Sequence, residues 1–474
     1  MSGDPDQAST LRRAADEALR YREQLPASRQ APLHDFAAMR KIFSEPTPEH
    51  GAASDAVIAD LVRRADGGLN AMSGARFFGW VIGGSHPAGV AADWLTSAWG
   101  QNCGNLQASP AGAAAEDVAA NWLLDLLNLP RESSIGFVTG ATVANFVGLA
   151  AARGAVLRKQ GWDVERNGLF GAPEITVLIG EDAHATVFSA LQFLGLGYER
   201  VARVATDDQG RIQIAAFRDA LEKCRGPVIA IAQAGQINTG AFDPIGEMAK
   251  MTRARSAWLH VDGAFGLWAR ACPSRAHLAD GMELADSWAT DGHKWLQTPY
   301  DCGYAIVKDA DAHRSAMAIA ASYLPASAAH ERDPAHYVPE LSRRARGFPT
   351  WAMIKALGRD GIADMIERHC ALARRMAEKL RKAEGVEVIG ALDLNQFVAR
   401  FGADLSPEES DAMTKAVISE IQRDGVCFLG GGAWRGRQVM RVSVISWATT
   451  ESDIDASVDA ILSAYARVRL KNAR

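Results

Sequence analysis

Between about residues 80 and 305, seven short apolar runs alternate with helix-length stretches, and this alternation constrains the chain more than any other feature. The runs are GFV (136–138), EITVLIG (174–180), YERVARVA (198–205), PVIAIAQAG (227–235), WLHVD (258–262), DSWAT (286–290) and CGYAIVKD (302–309). The intervening stretches are amphipathic or, as in ATVANFVGLAAARGAVL, rich in alanine. Strands separated by such helices specify an α/β domain with a mostly parallel or mixed sheet. In such sheets ligands bind just beyond the carboxyl ends of the strands, so the polar residues that follow the runs are the first candidates for function.

The flanking regions differ in pattern. Residues 1–75 read as helices, TLRRAADEALRYREQL and DAVIADLVRRA, with prolines at 26, 32, 46 and 48 between them. Their apolar content is too small for a separate core, so this segment is expected to pack on the body or on a second subunit. The α/β domain is assigned to 76–345, ending in an aperiodic stretch, ASYLPASAAHERDPAHYVPE, that reads as a long loop at the active site. Residues 346–474 begin with a helix and continue as short strands and amphipathic helices, a smaller α+β domain. Within it, GGGAWRG at 430–436 lacks the spacing of a phosphate-binding loop and reads as a turn between strands.

A formal charge of −5, with no clustered basic footprint, argues against nucleic-acid binding. The acidic MSGDPDQAST start and the lack of any run of about 18 apolar residues argue against a leader or a membrane span. Six dispersed cysteines without a CxxC pair fit a reducing compartment, so the cytoplasm is expected.

Chemistry concentrates at four strand ends. DSWATDGHKWL sets Lys294 just past an apolar run, between a glycine turn and Trp295. Taken alone, Lys294 reads more readily as an exposed lysine whose stem covers the tryptophan. An amine partly removed from water is also what Schiff-base chemistry with an aldehyde requires. Asp262 closes WLHVD and is followed by Gly263 and Ala264; a carboxylate there pairs with the ring nitrogen of pyridoxal phosphate (PLP), and a small Ala264 lets a flat ring approach. A helix cap, or a metal ligand shared with His260, is the other reading of Asp262, although two ligands without a third make a weak metal site. TGATVAN offers Thr139, Gly140, Ala141 and Thr142 at the start of a helix, either a phosphate cradle or an ordinary cap. His184, after EDA, is placed to stack on a ring or to be a buried, bonded histidine.

Together, DSWATDGHKWL, HVDGAFG, TGATVAN, EDAH, NTGAFDPI, RFFGWVIGGSHPAG and SRRARG resemble the group II PLP-dependent decarboxylases, which include aromatic-amino-acid and glutamate decarboxylases. The resemblance spans about residues 72–450. It implies PLP fold type I, with a large mixed seven-stranded sheet domain and a smaller C-terminal α+β domain, working as a homodimer on a small amino acid. Residue by residue it implies Lys294 as the covalent anchor of pyridoxal 5'-phosphate, Asp262 at the pyridinium nitrogen, His184 stacked on one ring face and Ala264 on the other. Ala141, Thr142 and His293 are implied at the phosphate. Asp291 fills a position where the family has Asn or Asp; a dianion beside it is repelled if both are ionised, so Asp291 accepts backbone bonds or shares a proton. Phe78, Trp80 and His86 are implied at the substrate cleft, where their character favours an aromatic substrate.

Departures from the family pattern concern the substrate side. Gln236 stands where relatives commonly have Thr near the stacking histidine, and is expected at the substrate. Ala185 replaces a small hydroxyl residue. The loop tyrosine that protonates the substrate carbon in aromatic-amino-acid decarboxylases falls near Pro334, leaving Tyr337 as the expected catalytic proton donor and Tyr323 as its rival. The expected reaction is loss of carbon dioxide to leave an amine. The alternatives are oxidative decarboxylation to an aldehyde, carbon–carbon lysis, or a non-catalytic PLP-fold binding protein. The roles of Arg343, Arg344, Arg346 and Arg441 stay open.

Overall fold

The computed structural model describes residues 7–318 and 332–472. Each of the seven apolar runs forms a strand: β1 (Ser134–Val138), β2 (Thr176–Gly180), β3 (Ala202–Val204), β4 (Val228–Gln233), β5 (Trp258–Asp262), β6 (Ser287–Asp291) and β7 (Gly303–Val307). They make one sheet in the order β1-β7-β6-β5-β4-β2-β3. β7 runs antiparallel to both neighbours, β1 and β6, and the pairs from β6 through β5, β4 and β2 to β3 are parallel. β1 to β6 therefore point the same way, and their carboxyl ends lie along one edge.

The sheet is buried on both faces. Val177, Ile179, Ile229 and Ile231 join one core, and Leu178, Ala230, Ala232, Leu259 and Val261 the other, as the two-residue period of a strand requires. Six helices precede or enter this domain: α1 (Gln7–Gln24), α2 (Phe36–Phe43), α3 (Ser54–Ala65), α4 (Pro87–Trp99), α5 (Pro110–Leu126) and α6 (Ala141–Arg158). α2 fills part of the proline-punctuated gap between the two helices expected near the N-terminus. No residue of α1, α2 or α3 is buried, and Leu19, Phe36, Val57 and Leu61 are exposed.

A four-stranded antiparallel sheet builds the C-terminal part in the order β10-β11-β9-β8, from β8 (Val386–Ile389), β9 (Gln396–Phe401), β10 (Gly430–Trp434) and β11 (Arg437–Ser443). Helices Pro407–Asp424 and Glu451–Asn472 enclose its core with Phe397, Phe401 and Val442. The helix Gly347–Leu380 runs through both cores: Met353, Ile354, Ile362 and Ile366 pack with the large sheet, whereas Leu372, Met376 and Leu380 pack with the small one. It kinks at Gly358, whose φ of 63° suits a residue without a Cβ. Among the described residues no helix is long and apolar enough to cross a membrane.

The SRRARG arginines hold this frame. Arg343 and Glu116 form a wholly buried pair at 2.7 Å, and Arg343 also donates to the carbonyls of Phe137 and Cys103. Arg344 pairs with Asp93 and Arg346 with Asp301, so all three serve as ties between segments.

Three fully buried histidines stay neutral because burial holds each imidazole down to about 3: His260 between Ser287 and Asn145, His313 between Ser134 and the Tyr337 carbonyl, and His369 between Trp295 and the Ser446 carbonyl. In the unfolded chain each takes up a proton below its ordinary value of 6.5. The unfolded state then holds more protons than the folded one, and stability drops as pH falls from 6.5 toward 3, by about 1.4 kcal/mol per pH unit for each histidine. Urea unfolding between pH 6 and 4 is expected to give a slope about 1.4 kcal/mol per unit shallower for His313→Gln than for the native chain; equal slopes would show that His313 is not held neutral.

Candidate active site

The carboxyl edge of the large sheet brings together residues far apart in sequence. Asp262 ends β5 and Asp291 ends β6, with Lys294 one turn later; His184 caps the helix Ala185–Phe193 after β2, and Thr139 and Gly140 lead from β1 into α6. Backbone bonds fix these ends against one another: Asp291 N donates to Ala264 O at 2.9 Å, and Gly263 N to Ala289 O at 2.9 Å.

Lys294 is largely buried, its Nζ 3.0 Å from Asp291 Oδ2 and 5.8 Å from the centre of the Phe265 ring. Gly83 presses on its backbone; a Cβ there would lie 2.3 Å from Lys294 O, which explains a glycine in the RFFGWVIGG segment. Asp262 is 4% exposed, and its side chain accepts one bond, from Ala264 N at 3.3 Å. Burial pushes its carboxyl up, and the His184 and Lys294 charges pull it back. A protonated ring nitrogen would supply the cationic donor such a carboxylate lacks.

His184 Nδ1 lies 2.7 Å from Thr186 Oγ1, so Thr186 provides the hydroxyl that Ala185 does not. Burial lowers this imidazole, opposed mainly by Asp262. At the start of α6, Ala141 N donates to Asp291 Oδ1 at 2.6 Å, and a Cβ on Gly140 would fall 2.9 Å from His293 Cε1. Thr142 follows on the first turn, half-buried. His293 is lowered by burial and stacks on Tyr300 at 4.2 Å. An amine, a buried carboxylate, an imidazole, the small Ala264 and a helix start closed by glycine thus fit PLP: Lys294 would take its aldehyde, Asp262 its nitrogen, and Ala141, Thr142 and His293 its phosphate.

Several residues expected at the substrate sit elsewhere. Phe78 is 1% exposed within the C-terminal core, packed with Phe397 and Val442, and offers no surface to a substrate. Gln236 is 2% exposed and spends its side chain on its own turn, accepting from Asn238 N and Thr239 N and donating to Asp182 O. Tyr337 lies in the turn Pro334–Tyr337, its ring against His313 and under Arg332, outside the cluster around Lys294. Tyr323 lies outside the described residues. His86 caps α4 and meets Trp447 edge-on at 5.0 Å. Trp80 remains half-exposed, beside Phe77 and Phe428.

Residues 37–398 match the family described as the pyridoxal-dependent decarboxylase conserved domain. The chain belongs to that decarboxylase family. It is 27% identical over 434 residues to an aromatic-L-amino-acid decarboxylase of Bacillus atrophaeus, covering 89% of this chain and 87% of that one. It is also 27% identical to an L-2,4-diaminobutyrate decarboxylase of Rhizobium meliloti, covering 90% and 85%, and 25% identical to a 4-hydroxyphenylacetaldehyde synthase of Rhodiola rosea, covering 86% and 84%. The structure of Oryza sativa TDC with PLP and tryptamine superposes with a TM-score of 0.90 at 23% identity over 98% of this chain and 99% of that one, which establishes the shared fold type I architecture. This decarboxylase is accordingly a PLP-dependent carboxy-lyase that converts an amino acid to its amine and carbon dioxide.

Two features of the decarboxylase go beyond what the sequence assigned: a place for Arg441, whose role it left open, and a tie at the β10–β11 turn. Arg441 of β11 has a buried Nε without a partner, and its charge is felt at His184. At the β10–β11 turn, Arg435 reaches from the C-terminal sheet to Asp182, donating at 2.8 Å to both Asp182 Oδ2 and Thr206 Oγ1, while Trp434 lies against Gly210. The sequence reads all of 430–436 as a turn, but Gly430–Trp434 pair as β10 and only Arg435 and Gly436 turn; nothing local named the partner 253 residues away. In a double-mutant cycle, Arg435→Ala and Asp182→Ala are expected to couple by about 1 kcal/mol in urea unfolding; additive losses would refute the tie.

Proposed function

We propose that this enzyme decarboxylates an aromatic L-amino acid, working in the cytoplasm as a homodimer. The observation that carries the site assignment is the joint placement of Lys294, Asp262 and His184 at neighbouring strand ends, each acting on the others' charge. Bound PLP supplies an electron sink for the pair left behind when carbon dioxide departs. The chain's own groups set the conditions. Asp262, ionised beside a cationic donor, keeps the proton on the ring nitrogen. His184 would lie against the ring face, and with Nδ1 committed to Thr186 its Nε2 is left to hold or pass a proton. Arg441 orients the substrate carboxylate through its unpartnered guanidinium edge without a competing acid. The Lys294 amine would be a second group, beside His184, able to move a proton at the substrate carbon that loses carbon dioxide.

An aromatic side chain is supported by Trp80, whose exposed ring lies beside Phe77 and Phe428 on a strained stretch, with φ of 53° at Trp80 and 60° at Val81. The aromatic-L-amino-acid decarboxylase relative agrees. The cytoplasm is supported by six buried, unpaired cysteines. The homodimer is supported by the apolar residues that α1, α2 and α3 leave uncovered.

PLP-loaded protein incubated with the common amino acids is expected to yield one aromatic amine and no hydrogen peroxide, by mass spectrometry and a peroxide assay, with Lys294→Ala inactive. A non-aromatic amine would overturn the substrate class; an aldehyde with peroxide would assign the aldehyde-forming reaction. Light scattering is expected to give about twice the 50.8 kDa chain mass, and Leu61→Asp should shift it toward one.

A further inference from the structure

Asp291 is held where the cofactor's phosphate must come. Its backbone is locked into the sheet, N donating to Ala264 O and O accepting from Trp268 Nε1. Its carboxylate is 3% exposed and Gly140 packs beside it: a Cβ on Gly140 would fall 3.3 Å from Asp291 Oδ1. Oδ1 accepts from Ala141 N at 2.6 Å and lies 3.4 Å from His293 Nε2, while Oδ2 lies 3.0 Å from Lys294 Nζ. The helix amide and the imidazole are the groups that would hold a phosphate, and Lys294 is the group that takes the aldehyde. A phosphate dianion at the start of α6 therefore arrives within contact distance of a fixed carboxylate.

The charges around this contact do not offset two ionised anions. Facing Asp291 are Lys294 and His293, lowered by burial, from its own turn, Asp262 from β5, His184 from the loop after β2, Tyr300 from the segment leading into β7 and Tyr304 from β7 itself. The first turn of α6 brings amides and no charged side chain. With Asp262 matched to the ring nitrogen that the cofactor brings, Lys294 is the one formal cation of this set left for Asp291 and the incoming phosphate. Like-charged oxygens forced together retain one proton between them, and the second ionisation of a phosphate ester, near pH 6, lies close enough to neutrality to keep it.

We infer that Asp291 and the cofactor phosphate share one proton, so that the phosphate is anchored by a short O–H···O bond and cofactor binding takes up a proton from water. An asparagine at this position would donate an N–H to a dianion and need no proton. The inference concerns cofactor anchoring and holds whichever amino acid is the substrate.

Phosphorus NMR of the PLP-loaded, full-length enzyme reads the ionisation directly. Between pH 6 and 9 the native protein is expected to show a bound phosphorus resonance that starts at the monoanion position and moves toward the dianion position, with a midpoint above that of free PLP. Asp291→Asn should stay at the dianion position throughout. The dissociation constant for PLP, measured by cofactor fluorescence, should rise in the native protein relative to Asp291→Asn by up to about tenfold per pH unit between the midpoint of free PLP and that of the bound phosphate, and level off above it. A native resonance fixed at the dianion position, with a pH-independent ratio of dissociation constants, would overturn the inference. If Asp291→Asn fails to fold, the native phosphorus titration alone decides.

Discussion

The site depends on opposite and like charges confined where water is scarce. Asp262 is buried with one hydrogen bond, its ionised form favoured by His184 and Lys294. Lys294 in turn lies against Asp291, which lies against the start of α6. Burial acts first on Asp262 and His184, their neighbours' charges second, and the sheet supplies the rigidity that keeps these groups at their distances. A single chain direction for β1 to β6 is what puts all their ends on one edge.

Most of this was legible in the sequence because strand ends carry a local signature. Each apolar run became a strand, and Lys294, Asp262, His184, Ala141 and His293 follow such runs directly. What was not legible depended on distant partners. Phe78 reads as a cleft aromatic, yet β11 and the loop before β10 hold it in the C-terminal core: Ser443 N donates to Phe78 O, and Phe78 N to Phe428 O. Gln236 reads as a substrate contact because it breaks a pattern, yet its length lets it close its own turn. The three arginines at 343, 344 and 346 gave no hint in spacing alone of which acid each would meet.

The contact between the two sheets explains how distant segments serve one site. The β10–β11 hairpin both ties Asp182, two residues before His184, through Arg435 and carries Arg441 toward the same histidine. The C-terminal domain is therefore a wall of the site and sets the position of one of its groups.

The helix Gly347–Leu380 has a further consequence. Because it contributes side chains to two cores, neither sheet can melt while that helix stays whole, and neither can form fully before it does. Heat should therefore take the chain apart in one calorimetric step despite its two sheets, and the large domain cut off at residue 345 would lose the helix that covers part of its core. Cooperativity across the domain boundary is built into a single secondary-structure element, with Gly358 as the one place where it can bend.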